Sequence, residues 1–425
     1  MSRDLNLCRS SPPARRQRGV VLLVILLVTM AFGGYFGVRA LNAAVARSGI
    51  HEMESEKILS QARQALLAWS VTTDDSLPSA TVSGLFGIRA FRPGNLPYPD
   101  LATGLTSTTP SDGVRDIGCA RTTWAGSGTL RPITATLTNT QKTGIRCFGR
   151  LPVATLGLDA VAGSSADVSG RWPWYIVSAN LVNINQDCPA RLDGTLTNTA
   201  LATGTNACGN INTPTAPFQW ITVLDEYGAV ISTRVAAVVI LPGQVTTRQP
   251  GNVRQTRSAT ALPSAFLDTV DNAACVGGRC DNGRLNATPL TFIQCVKPAS
   301  TAGDARFSAN YACTDRLTYI TVDELFAYAA KRIEREFTAC LAEYAQNNAN
   351  KYPWAALAGS PSSVTVGNTS GSFPSNDASA NPTCANQQVY WGGWQRAATY
   401  TVAPDQSAAQ FSFASLAGRP AVSVP

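Results

Sequence analysis

An uncharged run from Val20 to Val38, VVLLVILLVTMAFGGYFGV, constrains this chain more than any other feature of its sequence. As an α-helix rising about 1.5 Å per residue it spans about 28 Å, close to the hydrocarbon thickness of a bilayer. Arg15, Arg16 and Arg18 precede it. Because clustered positive charge stays on the cytoplasmic side, the bulk of the chain is expected on the outer face. A secretory signal has a shorter apolar core that ends at a small-residue cleavage site. Here an amphipathic helical pattern continues instead, with Leu41, Val45, Ile58, Leu59, Ala62, Leu66 and Trp69 recurring mostly at i, i+3, i+4 and i+7. No proline follows Val20 until Pro78. The expectation is a leader over 1–19, a transmembrane segment over 20–38 and an extracytoplasmic stem helix over 39–76, ahead of a globular domain over 77–425.

The formal charge of +7 is concentrated at the start, where Arg3, Arg9, Arg15, Arg16 and Arg18 face only Asp4. Beyond the leader no basic run or stripe appears, so nucleic acid is not an expected partner. With 44% apolar and 14% charged residues, the chain has ample material for a large core. Eleven cysteines are present, and Cys8 lies in the leader. The others are Cys119, Cys147, Cys188, Cys208, Cys275, Cys280, Cys295, Cys313, Cys340 and Cys384, an even number that suits full pairing. His51 is the single histidine, which nearly excludes Cys/His zinc sets and favours disulfides in an oxidising compartment.

From Leu77 onward, short β-prone runs alternate with Pro, Gly, Asn and Asp. FQWITVL and AVISTRVAAVVIL flank a turn at Asp225–Gly228 and read as a hairpin. A helix over about 322–347 is marked by TVDE, in which Thr321 caps the amide near Glu324 while the Glu324 carboxylate reaches back. Val322, Leu325, Phe326, Ala329, Ile333, Phe337, Leu341 and Tyr344 form its apolar face, expected to pack on the sheet. The fold class is α+β: a long N-terminal transmembrane and stem α-helix, then a large disulfide-bonded domain with an antiparallel β-sheet and a packed long helix.

Arg18-Gly19 ending a short basic leader, with a hydrophobic helix starting at Val20, resembles the type IV prepilin family. The resemblance implies that a membrane prepilin peptidase cuts between Gly19 and Val20, that Val20 is N-methylated, and that the stem joins other pilin-like subunits. A basic-then-apolar N-terminus also describes a plain signal anchor. Most members carry glutamate at the fifth mature position, where this chain has Val24. That carboxylate is thought to pair with the N-terminal amine of a neighbouring subunit, and a tip subunit has no such neighbour ahead of it. Val24 and the large domain together resemble the tip-forming minor pseudopilin of type II secretion. Val24 serves equally as membrane filler in a protein that never joins a fibre. Gly33, Gly34 and Gly37 allow local melting of the helix, or Gly33 and Gly37 a close GxxxG-like contact.

LSQARQALLAWS, GNLPYPD, FGRLPVATLGL, RWPWYIVSANL, AAVVILPGQ, DELFAYAAKRIEREF and KYPWA also resemble, in order, a group of large prepilin-like proteins of proteobacteria. In that group a cysteine is more usual at the position of Tyr98, which leaves Cys147 as the natural partner for Cys119. Neighbour pairing would continue with Cys188 and Cys208, Cys275 and Cys280, Cys295 and Cys313, and Cys340 and Cys384, a connectivity that sequence does not determine.

The expected role is therefore a minor, tip-located pilin or pseudopilin subunit in the inner membrane with its domain in the periplasm, serving adhesion, priming or cargo contact. The alternative is a single-pass anchored periplasmic binding protein outside any fibre. No HExxH, Walker or Rossmann pattern occurs, and no catalytic residue or cofactor is expected. Asp271, Asn272, Asp281 and Asn282 surround the Cys275–Cys280 loop with hard oxygen ligands that suit calcium. A disulfide-closed surface turn explains the same residues without metal. Trp391 and Trp394 suit a sugar-binding platform or, more in keeping with a β domain, burial.

Overall fold

The computed structural model describes residues 53–72, 93–100, 120–121, 145–158, 172–178, 181, 220–225, 228–243, 247–248, 253–255, 263–271, 279–283, 291–295, 314–358, 360–374, 394–413 and 422–424. The leader, the apolar run with Gly19, Val20 and Val24, and the stem as far as Glu52 lie outside them. Among the described residues no helix is long and apolar enough to cross a membrane. Two units divide the chain, Met1–Lys57 and Ile58–Pro425, and the apolar core lies in the second.

Helix α1, residues 53–72, is the described part of the expected stem. Its Leu59, Ala62, Leu66, Leu67 and Ser70 are buried, and Ile58 packs against the same core. The spacing of these residues is the amphipathic period read from the sequence.

The larger sheet has seven strands. They are β1 (Ala120–Arg121), β2 (Ile145–Arg150), β3 (Trp174–Val177), β4 (Ile221–Asp225), β5 (Val230–Leu241), β10 (Thr291–Gln294) and β11 (Arg316–Thr321). Between β5 and β10 lie two short hairpins, β6 (Thr247–Arg248) with β7 (Val253–Arg254) and β8 (Thr269–Asp271) with β9 (Arg279–Asp281). The expected hairpin is present as β4 and β5, antiparallel around the turn in which the Gly228 amide bonds the Asp225 carbonyl. Gly228 adopts φ 86°, a left-handed turn conformation that glycine takes without strain.

β5 organises the sheet. Val235 pairs with both Ile221 of β4 and Thr321 of β11, while Ala237 pairs with both Val177 of β3 and Ile320 of β11. Thus β3 and β4 share one edge of β5 end to end, and β11 takes the other. Among the described strands of this sheet, the one departure from antiparallel pairing is β10, which runs parallel to β4.

Alternation sends Tyr175, Val177, Ala237, Val239 and Ile320 into one core and Trp174, Ile176, Val238, Ile240 and Phe292 into a second. A sheet covered on both faces requires strands that are apolar throughout, which is why AAVVIL reads as a continuous run. Phe266 and Leu267, following the 3₁₀ turn Pro263–Ala265, cover the second face.

Helix α2, Val322–Asn347, crosses the first face. Thr321 caps it, its hydroxyl accepting the Glu324 amide at 3.2 Å. The other half of the capping box differs from expectation, because the Glu324 carboxylate pairs with Arg63 of α1 rather than turning back. Every predicted face residue is buried except Tyr344, which is half-buried; Ala345 fills the last turn of the core instead.

After α2 comes a six-stranded sheet in the order β13, β12, β14, β15, β16, β17, antiparallel throughout. Its strands are β12 (Ala356–Leu357), β13 (Ser360–Val364), β14 (Ser370–Ser372), β15 (Thr399–Val402), β16 (Ala409–Ser412) and β17 (Val422–Val424), with the short helix α3 (Trp394–Ala397) before β15. Phe337 of α2 stacks on Phe373 at 3.8 Å between centroids and meets Phe411 edge-on at 5.5 Å. α2 therefore packs against both sheets, and one apolar core unites them with the two long helices. β13 is an edge strand, and Pro361 within it lacks the amide that an added strand would need.

Candidate functional site

The stem enters the domain alongside α2. Arg63 pairs with Glu324 and donates from Nε to the Tyr319 carbonyl at 3.3 Å. One helical stretch further on, Arg332 donates to the Val71 carbonyl at 3.0 Å. The Arg63–Glu324 and Val71–Arg332 contacts both join positions 261 residues apart, so α1 and α2 run parallel in step. Arg332 also pairs with Glu336 one turn along. The stem is thus built into the core through an apolar face and a basic clamp at each end of the contact.

Residues 93–100, the PGNLPYPD run, are buried from end to end although their composition reads as loop. A buried irregular segment needs partners for its backbone, and here they come from several elements. The Gly94 amide donates to the Ser70 carbonyl of α1, and the Leu96 amide to the Leu181 carbonyl. The Pro93 carbonyl accepts Trp394 Nε1–H at 2.9 Å, and the Pro97 carbonyl accepts the Tyr175 hydroxyl at 3.2 Å. Trp394 is wholly buried, as the packing reading expects, and Trp391 lies outside the described residues. Gly94 has φ +92°, and a Cβ there would stand 2.9 Å from Phe326 Cε1. Gly94→Ala should therefore lower stability by about 3 kcal/mol through backbone strain and overpacking. Chemical denaturation of the two proteins side by side checks this.

The same segment ends at Asp100, whose backbone exchanges two hydrogen bonds with that of Arg150. The Arg150 guanidinium is buried, lies 3.8 Å from the Trp174 ring centroid and 4.5 Å from that of Phe266, and donates to the Trp172 carbonyl at 2.7 Å. Burial pulls its pKa down to about 9, against the opposing pull of Asp100, so it remains a cation at neutral pH. Trp172 Nε1 returns a bond to the Leu151 carbonyl. The GNLPYPD, FGRLP and WPW runs therefore meet around one buried cation.

A second buried polar cluster lies at the end of β5. Asp268, Asp315, Asn282 and Gln255 are all buried. The Asp268 carboxylate accepts the Thr314 amide at 2.6 Å, the Thr314 hydroxyl at 2.8 Å, the Asp315 amide at 3.0 Å and Gln255 Nε2–H at 3.1 Å. Asp315 accepts the Asp268 amide at 2.7 Å, Asn282 Nδ2–H at 3.2 Å and the Gly243 amide at 3.3 Å. Burial, then the Asp268 charge, push the Asp315 carboxyl well above the usual carboxylate range.

Asn282, one of the calcium candidates, has its amide engaged within the protein: Oδ1 accepts the Ile293 amide at 2.8 Å while Nδ2 donates to Ile293 and Asp315. Asp271 and Asp281 fall in β8 and β9, opposite Arg279 and Thr269 respectively; their side chains, and Asn272, lie outside the described residues. Among the described residues no group of three or more His, Cys, Asp or Glu gathers as a metal would require.

Cys295, just after β10, and Cys340, buried in α2, are each disulfide-bonded. Cys147 and Cys280 belong to β2 and β9. The side chains of these last two, and the whole of Cys119, Cys188, Cys208, Cys275, Cys313 and Cys384, lie outside the described residues.

Neither Arg150 nor the carboxylate pair stands out in the sequence. The available signal is a charge inside an otherwise apolar strand, as in CFGRLP, or directly before one, as in DRLTYI. No protein-family model, curated protein or solved structure matches this chain.

Proposed function

We infer that the chain is a minor pilin- or pseudopilin-like subunit, held in a bacterial inner membrane by residues 20–38, with its domain in the periplasm and its place at the tip of a fibre. The observation that carries this reading is the stem. α1 docks through a buried face and two arginine clamps, and no proline interrupts the chain between the apolar run and that helix. A fibre subunit needs a stem packed on its own domain, whereas a domain tethered only for binding needs no more than a flexible linker. Val24, in place of the pairing carboxylate, supports the tip position.

The described parts of the segments that resemble large prepilin-like proteins supply many of the buried residues around Gly94, Arg150 and α2. The disulfide map belongs to the same reading. β1 and β2 pair Ala120 with Arg146, and the chain neighbours of those residues are Cys119 and Cys147. The other pairs proposed are Cys188 with Cys208, Cys275 with Cys280, Cys295 with Cys313, and Cys340 with Cys384. No catalytic role is proposed.

Comparing cells with and without prepilin peptidase tests the reading. The full leader should persist in the mutant and be missing from the wild type. An identical N-terminus in both would leave the anchored periplasmic protein as the better account.

A further inference from the structure

The Asp268–Asp315 pair has no part in the stem or the fibre reading, and its geometry sets an unusual electrostatic problem. Two carboxylates, 1% and 0% exposed, each accept the backbone amide of the other. Between them they collect the ends of chain segments remote in sequence: Gly243 after β5, Gln255, the stretch at Leu267–Asp268, Asn282 with Ile293, and Thr314–Asp315. Adjacent buried anions repel, and among the described residues no cation pairs with Asp315 to offset this.

The two carboxylates are unequally supplied with donors. Asp268 accepts from Gln255, twice from Thr314 and from Asp315, with the last three bonds converging on Oδ2. Oδ1 of Asp315, among the described residues, receives the Gly243 amide alone, at 3.3 Å. A proton has room there, whereas Oδ2 of Asp268 is crowded with donors. Among the described residues, the charge that bears on Asp315 is that of Asp268, while Gly243, Gln255, Asn282, Ile293 and Thr314 bring neutral groups.

We propose that this pair is a proton-held latch: a single proton on Asp315 keeps these segments fastened, and its loss leaves two anions that loosen the contacts at Gly243, Gln255, Asp268, Asn282 and Thr314. The sign follows from linkage. The fastened state holds a proton that an opened, solvated Asp315 releases at any pH above about 4. Opening therefore becomes easier as pH rises from there through the raised value in the closed state. For one proton the gain approaches about tenfold per pH unit.

Hydrogen exchange on the full chain between pH 5 and pH 8, divided by the intrinsic exchange rate at each pH, reads this directly. Peptides carrying 263–271, 279–283 and 314–316 should open progressively more with pH, up to about tenfold per unit, while peptides carrying 399–402 and 409–412 stay flat. Asp315→Asn, which removes the titrating group and keeps the shape, should flatten the first set. A wild-type profile without slope, or an equal slope in Asp315→Asn, would overturn the latch. So would millimolar calcium abolishing the wild-type slope, since a cation and not a proton would then be holding the pair. Should Asp315→Asn fail to fold, the wild-type profile alone still decides.

Discussion

Phe337→Ala should cost the domain about 4 kcal/mol, the largest loss expected of any single truncation in the core. Phe337 is wholly buried on α2 and touches three aromatic rings of the C-terminal part: Phe373 stacked at 3.8 Å, Phe411 edge-on at 5.5 Å and Phe413 at 6.0 Å. Those neighbours are pinned by contacts of their own, as Phe373 meets Tyr400 and Phe413 meets Trp394 at 5.3 Å. They cannot collapse into the space, so the cavity persists and its cost adds to the lost transfer free energy. Because Phe337 is where the second sheet grips the helix, the fluorescence of the tryptophans should report loosening there at denaturant concentrations where wild type is intact. Val366→Ser, at a residue 85% exposed on a turn, should change stability by less than about 0.5 kcal/mol and serves as the control.

Asp268→Ala should be nearly as damaging, at about 3 kcal/mol, for a different reason. Little apolar contact is lost. Instead four donors, two of them backbone amides, lose a buried acceptor. Asp315→Asn should be much milder at neutral pH, because the amide matches a protonated, neutral carboxyl in shape and charge and its oxygen still accepts. Urea denaturation of the two variants at pH 7 makes the comparison. Equal losses would mean that the two carboxylates are interchangeable props, contrary to the hydrogen-bond geometry.

The parts of the fold legible in the sequence are those whose signals are local. Thr321 and the 3.6-residue stripe of α2 announce a helix because capping and burial both act within a turn or two. The β4–β5 hairpin is legible because its turn and both strands are contiguous. The PGNLPYPD run is not legible as core. Its prolines and glycine mark a loop by composition, and only the partners supplied by Ser70, Leu181, Tyr175 and Trp394 allow it to be buried. The same limit hides the charged clusters. Arg150 stacks on Trp174 across a strand pair, and Asp268 meets Asp315 47 residues away, so each taken alone reads as a solvated charge. Glu324 reads as part of its own helix cap, whereas a stem residue 261 positions earlier claims it.

The proposed processing of the leader ahead of the apolar run is tested most directly at the N-terminus. Intact-mass measurement and N-terminal sequencing of the chain purified from membranes should find it beginning at N-methylated Val20. A chain that keeps Met1 to Gly19, or one cut at a small-residue site beyond Val38, would contradict the account.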